Sequence, residues 1–196
     1  MAISPFEMYK AQADVLVPLV RALLVELGAE RTHKLVSEAI GEHFRGLGKS
    51  IFETLDGEDF GAKTHSLWKA YNVDNPLDYK IEKQTKDSLY ARVDGCRFAE
   101  FYRGMNAPEL GFLLCCGQDY PLTEGMDPNA VMRRPMTIMQ GHDHCEFYWD
   151  VHADPAAAQA EKGKEVARVS VEQIRLLMKH AQDRAAAPKP GEAPGR

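Results

Sequence analysis

An alternating pattern of apolar and polar residues occupies positions 79–93, which read YKIEKQTKDSLYARV. Apolar side chains recur at every second position in parts of both halves of this stretch. A period of two residues is typical of a strand with one buried face. The polar pair Lys86-Asp87 lies between the two halves. The stretch therefore predicts a β-hairpin with its turn at that pair.

The residues before position 73 follow a different pattern, in which apolar side chains recur at steps of three and four residues. Such spacing builds one apolar face on a helix. The predicted helices cover residues 15–27, 31–44 and 59–71. Gly28 marks the predicted end of the first helix, and Gly46 and Gly48 break the pattern after the second.

Short helices and a second pair of strands are predicted after the hairpin. The helices cover residues 96–105, 107–116 and 165–180, and the strands cover residues 131–140 and 144–151. Together the elements predict an α+β fold, in which N-terminal helices are followed by a small antiparallel sheet packed against helices. The predicted regions are an N-terminal helical region (1–72), an α+β catalytic region (73–184) and a disordered tail (185–196).

Composition limits the classes of function. Of the 196 residues, 44% are hydrophobic and 27% are charged, as in a globular domain, and the formal net charge is −5. Nucleic-acid binding normally needs a basic face, so we expect no nucleic-acid partner. No apolar run approaches the roughly 20 residues that span a membrane, and the N-terminus lacks the pattern of a signal peptide. We therefore expect a soluble, cytoplasmic enzyme of bacterial type with no membrane partner.

All four cysteines lie between residues 96 and 145, and potential acid–base groups lie among them. The cysteines are Cys96, Cys115, Cys116 and Cys145. The accompanying acids and histidines are Glu109, Asp119, Glu124, His142, Asp143 and His144. In a reducing compartment, cysteines act as thiols, metal ligands or catalytic groups rather than as a disulfide framework. This window could therefore bind zinc or carry out thiolate and acid–base chemistry.

The spacing of the cysteines favours one member of the adjacent pair. Neighbouring residues on a helix point about 100° apart, so only one of Cys115 and Cys116 can easily face a site. Asp119 follows Cys116 by three residues and Glu109 precedes it by seven, which places all three on or near one helical face. We therefore expect Cys116 to be functional and Cys115 to belong to the core.

Other positions in the window have two interpretations. Cys145 is predicted to point inward beside Phe147, either as an apolar filler or as a reactive thiol. Cys96 lies where a strand gives way to a helix, and a helix N-terminus lowers the pKa of a thiol. The adjacent Arg133 and Arg134 lie on a predicted strand, so one of them should point inward and the other into solvent.

Two stretches resemble a known family. Residues 96–119 read CRFAEFYRGMNAPELGFLLCCGQD, and residues 134–147 read RPMTIMQGHDHCEF. Both resemble the L-2-amino-thiazoline-4-carboxylic acid hydrolase family. The pattern of that family has a cysteine, a Pro-Glu-Leu-Gly helix, Cys-x-x-Asp, Thr-Ile-x-x-Gly and a final Cys-Asp/Glu-Phe. The recurring family residues fall on Cys96, Glu109, Cys116, Asp119, Thr137, Gly141 and Cys145.

The resemblance implies a hydrolase that opens a small cyclic amidine or amide substrate at a C–N or C–S bond. The named reaction adds water to the ring of 2-aminothiazoline-4-carboxylate and produces a carbamoyl-cysteine. It implies Cys116 or Cys96 as the nucleophile and Asp119 or Glu109 as the general base, with Cys145 as a further catalytic residue. The implied substrate-binding residues are Arg134, Thr137 and His144. No cofactor is needed in this interpretation.

Two alternatives remain open. In the first, Cys96, Cys116 and Cys145 bind zinc together with His144 or Asp119, because soft thiolates and imidazole select that metal. In the second, the chain is a non-catalytic module that binds a small molecule or a metal and is similar to vinyl-reductase-like domains. The apolar N-terminal helices could also support a homo-oligomer.

Overall fold

The predicted hairpin forms one half of a four-stranded sheet in the computed structural model, which describes residues 3–186. Strands β1 (Leu77–Gln84) and β2 (Ser88–Cys96) pair antiparallel. Strand β3 (Ala130–Arg133) pairs with β4 (Cys145–Val151), and β4 pairs with β2. The strand order is therefore β1-β2-β4-β3, with every neighbouring pair antiparallel.

The buried face of the sheet follows the predicted alternation. Leu89, Ala91 and Val93 of β2 are almost completely buried. On β4, the residues opposite them are Trp149, Phe147 and Cys145, and these are buried as well. The register thus places Cys145 beside the end of β2, where Cys96 lies.

The first helix, α1 (Pro5–Phe52), is longer than any helix that the sequence predicts. Gly28 has φ 73° and ψ 172° inside it, so the predicted break at this glycine is confirmed. The predicted break at Gly46 and Gly48 is wrong, because the helix continues through both residues. The second helix, α2 (Phe60–Tyr71), begins as predicted, with the side chain of Asp59 accepting a hydrogen bond from the backbone N–H of Ala62 at 2.8 Å.

The middle of the chain departs most from prediction. Helices α3 (Arg97–Gly104) and α4 (Pro108–Leu114) form, but α4 ends before the two adjacent cysteines. A 3₁₀ turn over Cys116–Gln118 follows, and then a helix that the sequence did not predict, α5 (Asp119–Met126). The predicted strand over 131–140 ends at Arg133, and a second 3₁₀ turn covers Ile138–Gln140.

The last helix, α6 (Pro155–Ala186), begins earlier and ends later than predicted. It packs against α1, α4 and β3. The first two residues of the predicted disordered tail, Ala185 and Ala186, belong to this helix, and residues 187–196 lie outside the described residues. The α+β fold class is confirmed. Within residues 3–186, no helix is both long enough and apolar enough to cross a membrane.

Two glycines explain why α1 continues past its predicted end. A Cβ atom on Gly48 would overlap the carbonyl oxygen of Leu122, and one on Gly125 would overlap the carbonyl oxygen of Arg45. The backbones of α1 and α5 therefore approach each other closely at these two glycines. Glycine in a helix interior destabilises the helix because it loses more conformational entropy than other residues. Both glycines are nevertheless required here, because any side chain would prevent the contact.

We predict that Gly48→Ala lowers the free energy of unfolding by about 1–3 kcal/mol, because the added methyl group forces the two backbones apart. Gly46→Ala is the matched control, since a Cβ at that position meets nothing within 4 Å. That control should be neutral or stabilising by up to about 1 kcal/mol. Equilibrium denaturant unfolding measures both, and equal effects of the two substitutions would contradict the close contact.

Candidate active site

One cavity of about 120 Å³ gathers the reactive side chains. All four cysteines line it, together with one carboxylate and one guanidinium group. These reactive residues are Cys96, Cys115, Cys116, Cys145, Asp119 and Arg134. The sequence singled out each of them as a candidate except Cys115, which it assigned to the core. The window of cysteines in the sequence thus corresponds to one place in the fold.

Aromatic side chains form much of the remaining wall. The ring centroid of Trp68, from α2, lies 4.9 Å from that of Phe147 and 5.7 Å from that of Trp149. Phe147 stacks on Trp149 with a centroid separation of 5.2 Å. Such a wall excludes water, and electrostatic interactions on the polar side of the cavity become stronger as a result.

Each reactive side chain lies at the end of a structural element. Cys96 caps α3, and its Sγ accepts a hydrogen bond from the backbone N–H of Ala99 at 3.4 Å. Cys145 begins β4, and its Sγ accepts one from the backbone N–H of Ile138 at 3.2 Å. Asp119 begins α5 immediately after the 3₁₀ turn that starts at Cys116. These groups meet because each of the three elements begins at the cavity and directs its capping or first side chain into it.

Arg134 is a buried cation at the centre of this arrangement, with only 5% of its surface exposed. Its Nη1 donates hydrogen bonds to the carbonyl oxygen of Cys116 at 2.9 Å and to Oδ2 of Asp119 at 2.8 Å. Its guanidinium carbon lies 4.1 Å from the centre of the Phe147 ring. The neighbouring Arg133 side chain is 43% exposed, so the predicted split between the two arginines is confirmed.

The four thiols differ in their tendency to ionise. A hydrogen bond from the Cys115 thiol lowers the pKa of Cys116, and the charge of Arg134 lowers it further, against the opposing effect of burial. Burial raises the pKa of Cys96 to about 12 and also raises that of Cys145. The pKa of Cys115 is raised, because its proton is held by Cys116 and because it is buried. Cys116 is therefore the thiol most easily converted to a thiolate.

The pKa of Asp119 is shifted in the opposite direction to that of Cys116. Burial raises the pKa of its carboxyl group, and the ion pair with Arg134 offsets part of that rise. Its side chain nevertheless keeps 36% of its surface accessible, and it lines the cavity. A raised pKa brings a carboxyl group closer to the pH at which an enzyme works, which favours its use in general acid–base catalysis.

Residues far away in the sequence complete the cavity. Tyr9, from α1, and Tyr71, from α2, line it, and the Tyr9 hydroxyl donates a hydrogen bond to Oε1 of Gln118 at 2.7 Å. The sequence did not identify these tyrosines as site residues, because an aromatic residue on an apolar helix face looks like an ordinary core residue. Cys115 was also missed, although its adjacency to Cys116 was a usable signal.

Glu109 does not reach the cavity. Its side chain is buried on α4, with Oε1 2.7 Å from Nη1 of Arg184 and Oε2 3.4 Å from Nδ1 of His180, both on α6. The expectation that Glu109 and Cys116 share one helical face is wrong, because α4 ends at Leu114.

Thr137 and His144 also point elsewhere. The Thr137 hydroxyl accepts a hydrogen bond from the backbone N–H of Gln140 at 3.1 Å, and so caps the second 3₁₀ turn. His144 contacts Asp143 at 2.6 Å and Glu146 at 3.4 Å. It lies outside β4, one residue before Cys145, and it does not line the cavity.

Of the zinc ligands that the sequence suggests, Cys96, Cys116, Cys145 and Asp119 line the cavity, whereas His144 lies outside it. Across residues 3–186, no three His, Cys, Asp or Glu side chains lie close enough together to hold a metal ion. The thiols of Cys96, Cys116 and Cys145 thus share a cavity without forming a ready set of ligands.

The sequence of the chain matches the profile of a known family. The sequence profile of the family described as L-2-amino-thiazoline-4-carboxylic acid hydrolase matches residues 8–149. No curated protein matches the chain. Among solved structures, the phenol-responsive sensory domain of the transcription activator PoxR, in complex with phenol, is similar with 14% identity and a TM-score of 0.49. That alignment covers 79% of this chain and 81% of the other, and its TM-score is too low to inform function.

We predict that the pH dependence of alkylation distinguishes the four thiols. The apparent pKa for iodoacetamide labelling, located by fragment-ion mass spectrometry, should be lower for Cys116 than for Cys96, Cys115 and Cys145, because the pKa of Cys116 is lowered and those of the other three are raised. A difference of one pKa unit between two thiols corresponds to about a tenfold difference in thiolate population at a pH below both pKa values. Comparing apparent pKa values rather than rates removes the effect of unequal access. Equal values for Cys116 and Cys145 would contradict the role of Arg134 and Cys115.

Proposed function

The chain belongs to the L-2-amino-thiazoline-4-carboxylic acid hydrolase family, and from that premise we propose that it hydrolyses a C–N or C–S bond in a small cyclic amidine. The observation that carries the proposal is the arrangement of Cys116, Asp119 and Arg134 at one cavity. A thiol with a lowered pKa, a carboxyl group with a raised pKa and a fixed cation supply a nucleophile, a proton carrier and an electrostatic anchor.

The size of the cavity supports a substrate of one small ring. A volume of about 120 Å³ is of the order of the roughly 150 Å³ cavity that accommodates one benzene molecule. The aromatic wall formed by Trp68, Phe147 and Trp149 suits the flat face of a ring. A 2-aminothiazoline-4-carboxylate-like molecule combines such a ring with an amidine carbon, the atom that a thiolate attacks.

In the proposed reaction, the Cys116 thiol transfers its proton to the Asp119 carboxylate, and the resulting thiolate adds to the amidine carbon of the ring. The bond from that carbon to the ring sulfur then breaks, and the leaving sulfur takes a proton from the Asp119 carboxyl group. A covalent isothiourea, in which the former amidine carbon is bound to Cys116 Sγ, results. The Asp119 carboxylate next removes a proton from water, which attacks the same carbon and expels the Cys116 thiolate. The product is an N-carbamoyl-cysteine, whereas cleavage of the ring C–N bond by the same steps would give the S-carbamoyl isomer.

Arg134 serves the proposed reaction without exchanging a proton. Its charge stabilises the thiolate before attack, and its hydrogen bond to Asp119 holds the carboxyl group beside Cys116. The fixed charge lies in an apolar cavity, where its effect is larger than in water.

A zinc-dependent form of the same hydrolysis is the competing mechanism. There Cys96, Cys116 and Cys145 would hold the metal, and a zinc-bound water would replace the thiolate as nucleophile. A second competing function is retention of a ligand without turnover, which an aromatic cavity also suits. Turnover by variants of the site residues and the zinc content of the protein distinguish these possibilities.

We predict that Cys116→Ala and Asp119→Asn abolish most of the turnover of 2-aminothiazoline-4-carboxylate. The expected losses in kcat are about 10³-fold or more for the nucleophile and about 10²–10⁴-fold for the proton carrier. Glu109→Gln should retain kcat while the protein becomes less stable, because it weakens a buried ion pair outside the cavity. Loss of kcat in Glu109→Gln with full turnover in Asp119→Asn would reverse the assignment, and full turnover by Cys116→Ala would exclude the thiol mechanism.

We predict that untagged protein, purified without chelator, contains far less than one zinc ion per chain and keeps its activity after exhaustive chelation. Elemental analysis by mass spectrometry measures the metal. About one zinc per chain, lost on Cys116→Ala or on Cys145→Ala, would instead support the metal mechanism. Binding of 2-aminothiazoline-4-carboxylate without any turnover in a metal-free protein would support the non-catalytic function.

A further inference from the structure

The main chain of Arg134 is bound from both sides by an ion pair on α6. Its backbone N–H donates a hydrogen bond to Oε1 of Glu165 at 3.1 Å, and its carbonyl oxygen accepts one from Nη2 of Arg168 at 3.0 Å. Glu165 and Arg168 also pair with each other at 2.7 Å. Each of the two α6 side chains therefore contacts both the backbone of Arg134 and the other side chain.

The sheet leaves these backbone groups available. Pairing of β3 with β4 ends at Arg133, and the next residue after Arg134 is Pro135, which has no N–H to donate. Without α6, the two backbone groups of Arg134 would lack the partners that buried main-chain groups require. The ion pair takes the place of the missing strand contacts, and the chain leaves the strand with the Arg134 side chain turned into the cavity.

Glu165 also contacts α5, the helix that begins with Asp119. The hydroxyl group of Tyr120 donates a hydrogen bond to Oε1 of Glu165 at 3.1 Å. Tyr120 directly follows Asp119 on α5. Glu165 is thus bound to the backbone of Arg134 and to the neighbour of Asp119, so it fixes the relative position of the two residues that form the ion pair in the cavity.

We propose that Glu165 and Arg168 are positioning residues, which hold the Arg134 guanidinium against Cys116 and Asp119. Neither of them lines the cysteine cavity, so they act through Arg134 and not on a bound molecule. Both lie on α6, beyond the residues that the family profile matches. The role in catalysis rests on the function proposed above, while the effect on the Cys116 thiol does not.

The structure indicates how a change on α6 reaches the thiol. If the ion pair is removed, the backbone at Arg134 loses its partners and the guanidinium is no longer fixed 2.8 Å from Asp119. A displaced cation stabilises the Cys116 thiolate less. The thiol should then ionise at higher pH, although no residue that touches Cys116 has been changed.

The test is the pH profile of Cys116 alkylation by iodoacetamide in Glu165→Ala and in Arg168→Gln, with the kcat/KM profile measured in parallel. We expect the apparent pKa of Cys116 to rise by about one unit in each variant, equivalent to about a tenfold lower labelling rate at neutral pH. Glu165→Gln should shift it less, because the amide oxygen still accepts the Arg134 N–H. Arg168→Gln, on a side chain that is 35% exposed, keeps the test valid if Glu165→Ala does not fold.

Glu172→Gln is the matched control. Glu172 pairs with Arg168 at 2.8 Å from the other side but has no contact with Arg134, so its variant should keep the profile of the unchanged protein. An unchanged Cys116 profile in Arg168→Gln and Glu165→Ala, with only a fall in melting temperature, would overturn the positioning role, as would an equal shift in Glu172→Gln. A shifted thiol profile in a protein without turnover would uphold the positioning role and reject the hydrolase.

Discussion

The burial of one cation, Arg134, is the constraint on which the rest of the site depends. A charge removed from water is costly unless it is paired and its donors find acceptors. Asp119 supplies the counter-charge, the carbonyl of Cys116 supplies a further acceptor, and the face of Phe147 covers the guanidinium plane. These partners come from two parts of the chain, the 3₁₀ turn with the adjoining α5 and strand β4, so both parts must be in place before the cation can be accommodated.

The same constraint separates the ionisation of the thiols. All four share an apolar cavity, and burial alone would raise the pKa of each of them. Cys116 departs from this behaviour because the Cys115 thiol donates to it and because Arg134 lies nearby. Arg134 and a backbone N–H group also lower the pKa of Cys145 and of Cys96, but burial outweighs both effects at these two thiols. A cluster of identical side chains thereby acquires one reactive member.

Periodicity in the sequence located the long helices without giving their ends, and it predicted the buried face of the sheet, because burial imposes the alternation seen in β2 and β4. It failed at 107–116 and 131–140 for a tertiary reason. The carbonyl of Cys116 is bound by Arg134, and the backbone of Arg134 is bound by α6, so the chain leaves regular structure at both places. The cysteines could be found from composition, whereas Tyr9, which reaches the cavity from α1, carries no local pattern that separates it from core residues.

The position of Glu109 shows what a recurring acid in a motif can mean. Its carboxylate is buried on α4, and its charged partners are Arg184 and His180 on α6. A buried carboxylate without such partners would strongly destabilise the fold, so Glu109 makes the docking of α6 favourable and α6 makes the burial of Glu109 possible. The same helix carries the ion pair that binds Arg134. An acid outside the cavity is therefore connected to the reactive thiol through the helix that it helps to dock.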